Sequence, residues 1–231
     1  FMDIATASAP WVGHCNTMGT ASTMNALAEA LGLSLTGCAA IPAPYRERGQ
    51  IAYETGRRIV ELAFEDRRPS SILTRDAFLD AIVVNAAIGG STNAQPHLMA
   101  MARHAGVDLR PSDWTEFGFD VPLLLNMQPA GKYLGEAFHR AGGVPAVMWE
   151  LQQAGMLRSA RPTVTGMTME QNLEGRQSVN REVIREFARP LKSQAGFLVL
   201  SGNLFDFAIM KTSVISAEFS ARYLSHPGAE G

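Results

Sequence analysis

Hydrophobic and polar positions fall in blocks along this chain, some with the period of a helix and some as short apolar runs. Asn25 to Leu31 reads as an amphipathic helix that stops at Gly32. Arg46 to about Glu65 reads as a long helix with Ile51, Ile59 and Leu62 facing inward, and Pro69 ends that region. Thr74 is placed as the N-cap of a helix through Ala77, Phe78, Ala81, Ile82 and Asn85. The Gly89-Gly90 break introduces another, from about Asn93 to Ala105, with Leu98, Met101 and Ala102 on its buried side and Gly106 as its stop.

The middle of the chain keeps this rhythm. Val121 to Met127 is a nearly continuous apolar run, the pattern of a strand covered on both faces. Tyr133–Ala141 and Val144–Ala154 read as two helices separated by Gly142-Gly143, with Pro145 in the first turn of the second. Thr168 and Gln171 are spaced for a capping box before a short helix ending near Gly175. Such alternation predicts a layered α/β domain. Past Arg189-Pro190 the texture changes: Gly196–Gly202 and Phe207–Thr212 read as strands. A domain boundary is placed there, dividing 1–188 from 189–231.

Composition narrows the function. At 231 residues, 46% hydrophobic and 18% charged, the chain can bury one good core. A net charge of −2 offers no electrostatic attraction to nucleic acid or to an anionic membrane surface. No apolar run reaches the length of a membrane span. Two cysteines do not make a disulfide framework, which favours a reducing cytoplasm. The 11 methionines suit helix packing and need no cofactor.

The candidate chemistry is concentrated in Gly13–Met24. Cys15 stands in a small-residue turn ahead of the first predicted helix. The positive end of a helix dipole favours a thiolate, the form that binds metal or attacks electrophiles. Neighbouring Gly, Thr and Ser leave backbone N–H groups and hydroxyls to face a ligand. The plainer alternative is a small apolar residue in a turn. Cys38, between Gly37 and Ala39, reads as packing. His14 beside Cys15 makes no zinc site, because adjacent residues rarely aim at one metal and no second Cys/His pair is suitably spaced. His97, His104 and His139 fall on predicted helices as surface or capping residues, and Lys132 reads as solvated. Gly89-Gly90-Ser91-Thr92-Asn93, opening a helix, suits an anion such as a carboxylate; alternatively, Ser91 or Thr92 simply caps the helix.

Several segments together carry a resemblance over essentially the whole chain. They are Gly13–Met24, Ile41-Pro42-Ala43, Gly89–Ala94 with His97-Leu98, Gln128–Tyr133, Gly142–Pro145, Thr163–Gly166, Leu200–Leu204 and His226–Gly231. In these the chain resembles the dihydroxy-acid and 6-phosphogluconate dehydratase family of iron–sulfur enzymes, above all its branch acting on sugar acids. The resemblance implies part of a three-layer α/β/α domain followed by the beginning of a β-barrel-like domain. It implies that Cys15 is one thiolate ligand of a [2Fe–2S] cluster, and that Mg2+ takes part. His14, Ser91, Thr92 and Asn93 are the substrate-binding candidates it suggests. The family's other cluster cysteines, the Mg2+ ligands (among them a carbamylated lysine) and the serine base find no counterpart in this sequence. The expectation is therefore an internal fragment of a longer protein, inactive by itself and a homodimer or homotetramer when whole.

The activity so implied is removal of water from a 2,3-dihydroxy carboxylate, a small-molecule sugar acid, giving a 2-keto-3-deoxy acid. One alternative is the branched dihydroxy acid of valine and isoleucine synthesis. Cys15-Asn16-Thr17-Met18 speaks against it, because that branch usually has Gly-Met followed by an aromatic there. The other alternative is a non-catalytic module binding an acidic metabolite or a partner subunit.

Overall fold

A computed structural model describes residues 13–216 together with 218 and 219; the His226–Gly231 segment lies outside the described residues. Nine helices and one two-stranded sheet occur among the described residues. The helices are α1 (Thr20–Ala30), α2 (Arg46–Phe64), α3 (Pro69–Ile72), α4 (Arg75–Ala87), α5 (Ala94–His104), α6 (Asp113–Gly118), α7 (Gly135–Arg140), α8 (Gly143–Gln153) and α9 (Met169–Leu173). Strands β1 (Phe197–Leu200) and β2 (Ala208–Lys211) pair antiparallel, with Phe197 opposite Lys211 and Leu200 opposite Ala208.

The core is built around α4. Every residue from Ala77 to Ala87 is buried, so this helix is surrounded on all sides by α1, α5, α6 and α8. Its start is set by Thr74, whose hydroxyl accepts the Ala77 N–H. The Thr168–Gln171 capping box opens α9 in the same way, with both reciprocal bonds formed. Gly142 (φ +118°) and Gly143 (φ +64°) occupy left-handed backbone between α7 and α8, a conformation that glycine adopts without penalty.

One charged pair is buried within this core. Asp80 of α4 accepts the Arg161 Nε–H at 3.1 Å and the Arg158 backbone N–H at 2.9 Å. Arg161 also donates to the carbonyls of Ala30 and Leu31, so it caps the C-terminus of α1, where the helix dipole favours a cation. Burial pushes the Asp80 carboxyl up and the Arg161 guanidinium down, and each is opposed by the charge of the other.

Three expectations are corrected. In α2, Leu62 is buried and Ile51 half-buried, but Ile59 is 61% exposed, and so are Tyr53, Val60 and Phe64 to similar or greater degrees. The line of inward contact follows Ile51, Arg58 and Leu62, leaving Ile59 outside it. The Val121–Met127 run is buried apart from Asn126, as expected, yet it forms no ladder. It makes isolated bridges from Leu123 to Lys192, Leu125 to Ile184 and Met127 to Tyr133, each with a different partner segment. Finally, the helices and small sheet are consistent with part of an α/β domain, but the opening of a barrel is not found among the described residues. The fold there is mixed, mainly helical, with a hairpin as its only sheet. That hairpin packs against α6, and Phe197 joins the same apolar cluster as α4. No helix among the described residues is long and apolar enough to cross a membrane.

Candidate functional site

The turn bearing Cys15 is suspended between α1 and the Gln128–Tyr133 segment. The Met18 N–H donates to the Gln128 carbonyl at 2.8 Å, and the Gly135 N–H to the Asn16 carbonyl at 3.0 Å. The Gln128–Pro129 bond is cis. The Gln128 N–H is bonded to the Tyr133 carbonyl and the Gly131 N–H to the Met127 carbonyl, which makes the segment a closed turn beneath the cysteine loop. Gly135 must be small: a Cβ there would come within 2.6 Å of the Asn16 side-chain oxygen.

Cys15 is exposed, and its sulfur stands at the mouth of α1. A Cβ placed on Gly19, the N-cap residue, would lie 3.5 Å from Sγ, and the Thr17 hydroxyl donates toward the sulfur at 3.7 Å. The neighbouring His14 ring is held from both sides. Asn25 Nδ2 donates to Nε2 at 2.9 Å, so Nδ1 carries the hydrogen that reaches the Cys15 carbonyl at 2.9 Å. Ser22, which donates to the Thr17 carbonyl at 2.7 Å, stands 3.3 Å from the same Nδ1.

These groups open into a cleft of about 250 Å³. His14, Cys15, Asn16, Ser22 and Asn25 line one side; Ala39 to Ala43 and Arg48 line another, and Phe138 and Val144 contribute apolar wall. The Ala39 side is held by Glu29, a buried carboxylate of α1 that accepts the Gly37 N–H at 2.5 Å and the Ala39 N–H at 2.8 Å. Burial pushes the Glu29 carboxyl up to about 7, against the pull of these two N–H groups and of Arg176.

Of the residues singled out from the sequence, the structure brings His14 and Cys15 together in the cleft. Ser91, Thr92 and Asn93 are not among its lining residues; Ser91 and Asn93 are bonded to the start of α1 instead. The Ser91 N–H donates to Thr23 Oγ1 at 3.0 Å, and Asn93 Nδ2 donates to Thr20 Oγ1 at 2.9 Å. Ser91 Oγ accepts the Asn93 N–H at 3.1 Å and lies 3.3 Å from the Thr20 hydroxyl. Gly90 permits this approach, since a Cβ there would fall 1.8 Å from Asn85 Oδ1. Cys38 is half-buried, outside the cleft lining, and burial pushes its thiol up. His97 and His104 are exposed on α5, while His139 is half-buried, edge-on to Tyr45 at 5.6 Å. Lys132 is exposed. The sequence reading missed Asn25 and Arg48. The one signal for them is position: Asn25 follows Cys15 by three helical turns' worth of chain, and Arg48 closely follows Ile41-Pro42-Ala43.

A small, largely apolar cleft with a few convergent polar groups and an exposed thiol at a helix mouth is of the kind that takes a small molecule. The chain belongs to the dihydroxy-acid/6-phosphogluconate dehydratase family, whose N-terminal profile matches residues 1–172. It is 68% identical over 231 residues to the D-xylonate dehydratase of Caulobacter vibrioides, covering 100% of this chain and 39% of that one. It is 46% identical over 205 residues to the L-arabinonate dehydratase of Rhizobium leguminosarum bv. trifolii (88% and 35%). To the dihydroxy-acid dehydratase of Caldanaerobacter subterraneus subsp. tengcongensis it is 43% identical over 229 residues (99% and 40%). The chain thus spans well under half the length of these relatives.

Proposed function

We propose that this chain forms the thiolate-bearing wall of a sugar-acid dehydratase, which takes water from a 2,3-dihydroxy carboxylate to leave a 2-keto-3-deoxy acid. The observation that carries this reading is Cys15, exposed to a small-molecule cleft at the N-cap of α1 with a hydroxyl donor on its sulfur. Identity to a D-xylonate dehydratase supports an aldonate as the substrate class.

Cys15 suits one position of a [2Fe–2S] cluster, because such iron is held by cysteine sulfur and this sulfur is accessible. Among the described residues no group of three or more His, Cys, Asp or Glu could hold a metal. The remaining cluster ligands are therefore assigned to other parts of the intact protein, and so are the ligands of Mg2+, for which the described residues offer no set. When bound, the cluster supplies a Lewis acid for the departing hydroxyl. The chain's own residues position and shield. His14 is held rigid beside the sulfur by Asn25, facing the cleft with its partners already chosen. Met18, Ile41, Phe138 and Val144 displace water from the walls, which strengthens polar contacts made inside. Ser91 and Asn93 brace α1 through Thr23 and Thr20 and, with Thr92, lie outside the cleft lining, so the anion-binding role read from the motif stays a proposal with no contact to the cleft behind it.

Anaerobic reconstitution of the intact protein with iron and sulfide, followed by assay on a panel of aldonates, tests the reading. Turnover of a five-carbon aldonate is expected, and Cys15→Ser is expected to abolish both visible absorbance and turnover. A normal cluster in that variant takes Cys15 out of the site. A loaded wild type that dehydrates no aldonate overturns the function.

A further inference from the structure

One side of α2 is apolar and faces solvent. The helix is fastened to the body along Ile51, Arg58 and Leu62, and Arg58 Nε donates to the Val164 carbonyl at 2.5 Å. On the side away from that line stand Tyr53 (69% exposed), Val60 (54%) and Phe64 (88%), with Ile59 on one flank. Surface hydrophobics scattered singly need no explanation, whereas a contiguous patch marks an interaction site. Gly49 and Gly56 belong to the same stripe: at about 100° per residue, positions 49, 53, 56, 60 and 64 fall within about 80° of one another. Glycine weakens a helix interior, and nothing in the chain's own packing demands it here, since a Cβ on either would meet no atom within 4 Å. Their smallness makes room for something that approaches α2 from outside.

We propose that a second copy of this chain packs on this face, the two α2 helices lying antiparallel about a two-fold axis at Gly56. The stripe is complementary to itself in that register. Gly56 meets Gly56, which lets the backbones approach, and Tyr53 meets Val60. Phe64 falls opposite Gly49 and Ile59 opposite Ala52, large against small. In each pair the two residues lie within about 1.5 Å of one level along the helix axis. The polar flank matches as well: Arg57 comes level with Glu54 of the second copy. These two side chains are 57% and 51% exposed and touch each other within one helix at 3.2 Å, so both can be shared across the axis. A parallel pair would instead set Arg57 beside Arg57 and Phe64 beside Phe64. The assignment does not depend on the dehydratase reading, because face, direction and register all follow from α2.

The test is charge reversal in the intact protein, read by analytical ultracentrifugation. Glu54→Arg and Arg57→Glu each set like charges across the axis, and each is expected to raise the dissociation constant between copies about tenfold or more. An equimolar mixture of the two variants restores both pairs and is expected to assemble as wild type does. Tyr53→Cys combined with Val60→Cys is expected to give a disulfide-linked dimer under mild oxidation, beyond that of wild type or of either single variant. Within one helix those positions are about 10.5 Å apart, too far to bridge in the same copy. All four positions are more than half exposed, and circular dichroism checks that helix content is kept. Wild-type mass in both charge variants, with no gain on mixing, overturns the proposal and gives the face to another part of the intact chain. A monomeric wild type overturns it too, as does cross-linking by Tyr53→Cys alone, the sign of parallel helices. If neither charge variant folds, the Tyr53→Cys/Val60→Cys cross-link decides by itself.

Discussion

Glu29 concentrates several demands on one side chain. It is 3% exposed, it sits on the helix that follows the cysteine turn, and it holds the Gly37 and Ala39 amides that shape one side of the cleft. Burial raises its carboxyl from the ordinary 4.5 to about 7. Between those values the folded chain keeps a proton that the unfolded chain has lost. The stability from this site is therefore complete below about pH 4.5 and is lost as pH rises through about 7, by something on the order of 3 kcal/mol. Glu29→Gln cannot titrate, so the difference in urea midpoint between wild type and variant is expected to shift across pH 4.5–7.5. A difference that stays constant across that range would clear Glu29 of the role. The sequence showed Glu29 only as a polar residue on an amphipathic helix; its amide partners are eight and ten residues away, beyond any helical period.

At the scale of elements, local chemistry was readable and contact direction was not. Thr74, the Thr168–Gln171 box and the glycine stops announced helix ends that the structure contains, because caps are made within a few residues. The C-terminal cap of α1 could not be read, since its donor is Arg161, some 130 residues on. The Asp80–Arg161 pair is correspondingly exacting. Asp80→Ala leaves a guanidinium with 5% exposure uncompensated, and a loss of about 3–5 kcal/mol in chemical unfolding is expected. A loss below about 1 kcal/mol would mean that the Ala30 and Leu31 carbonyls suffice for Arg161. In α2, by contrast, a helical period was correctly recognised while Ile59 was given the wrong side. A period fixes spacing, and the neighbours decide which face is covered.

At the scale of the whole molecule, the hairpin and the helical body meet at very close range. A Cβ on Gly196 would lie 1.6 Å from the Gly118 carbonyl oxygen at the end of α6, and Thr212 bonds the Gly196 carbonyl from the opposite strand. Lys211 adds a bond to the Gly89 carbonyl at 2.6 Å, and burial lowers its ammonium to about 8. Gly196→Ala is expected to undock the hairpin: hydrogen exchange at the β1 amides quickens while α4 keeps its protection. Equal loss of protection in both would show that hairpin and body unfold as one unit. The amino-acid sequence by itself determined where most helices and both strands lie, that Cys15 precedes a helix, and the family, since these depend on neighbours in the chain and on matched motifs. Tertiary structure alone decided that Val121–Met127 spends its hydrogen bonds on four separate places, around Ala87, Tyr133, Ile184 and Lys192, and that Ser91 and Asn93 brace α1. It also decided that Arg48 lines the same cleft as Cys15. The physical reason is common to all three: hydrogen bonds and charges are satisfied by whatever the folded chain brings near, and sequence distance does not record which groups those are.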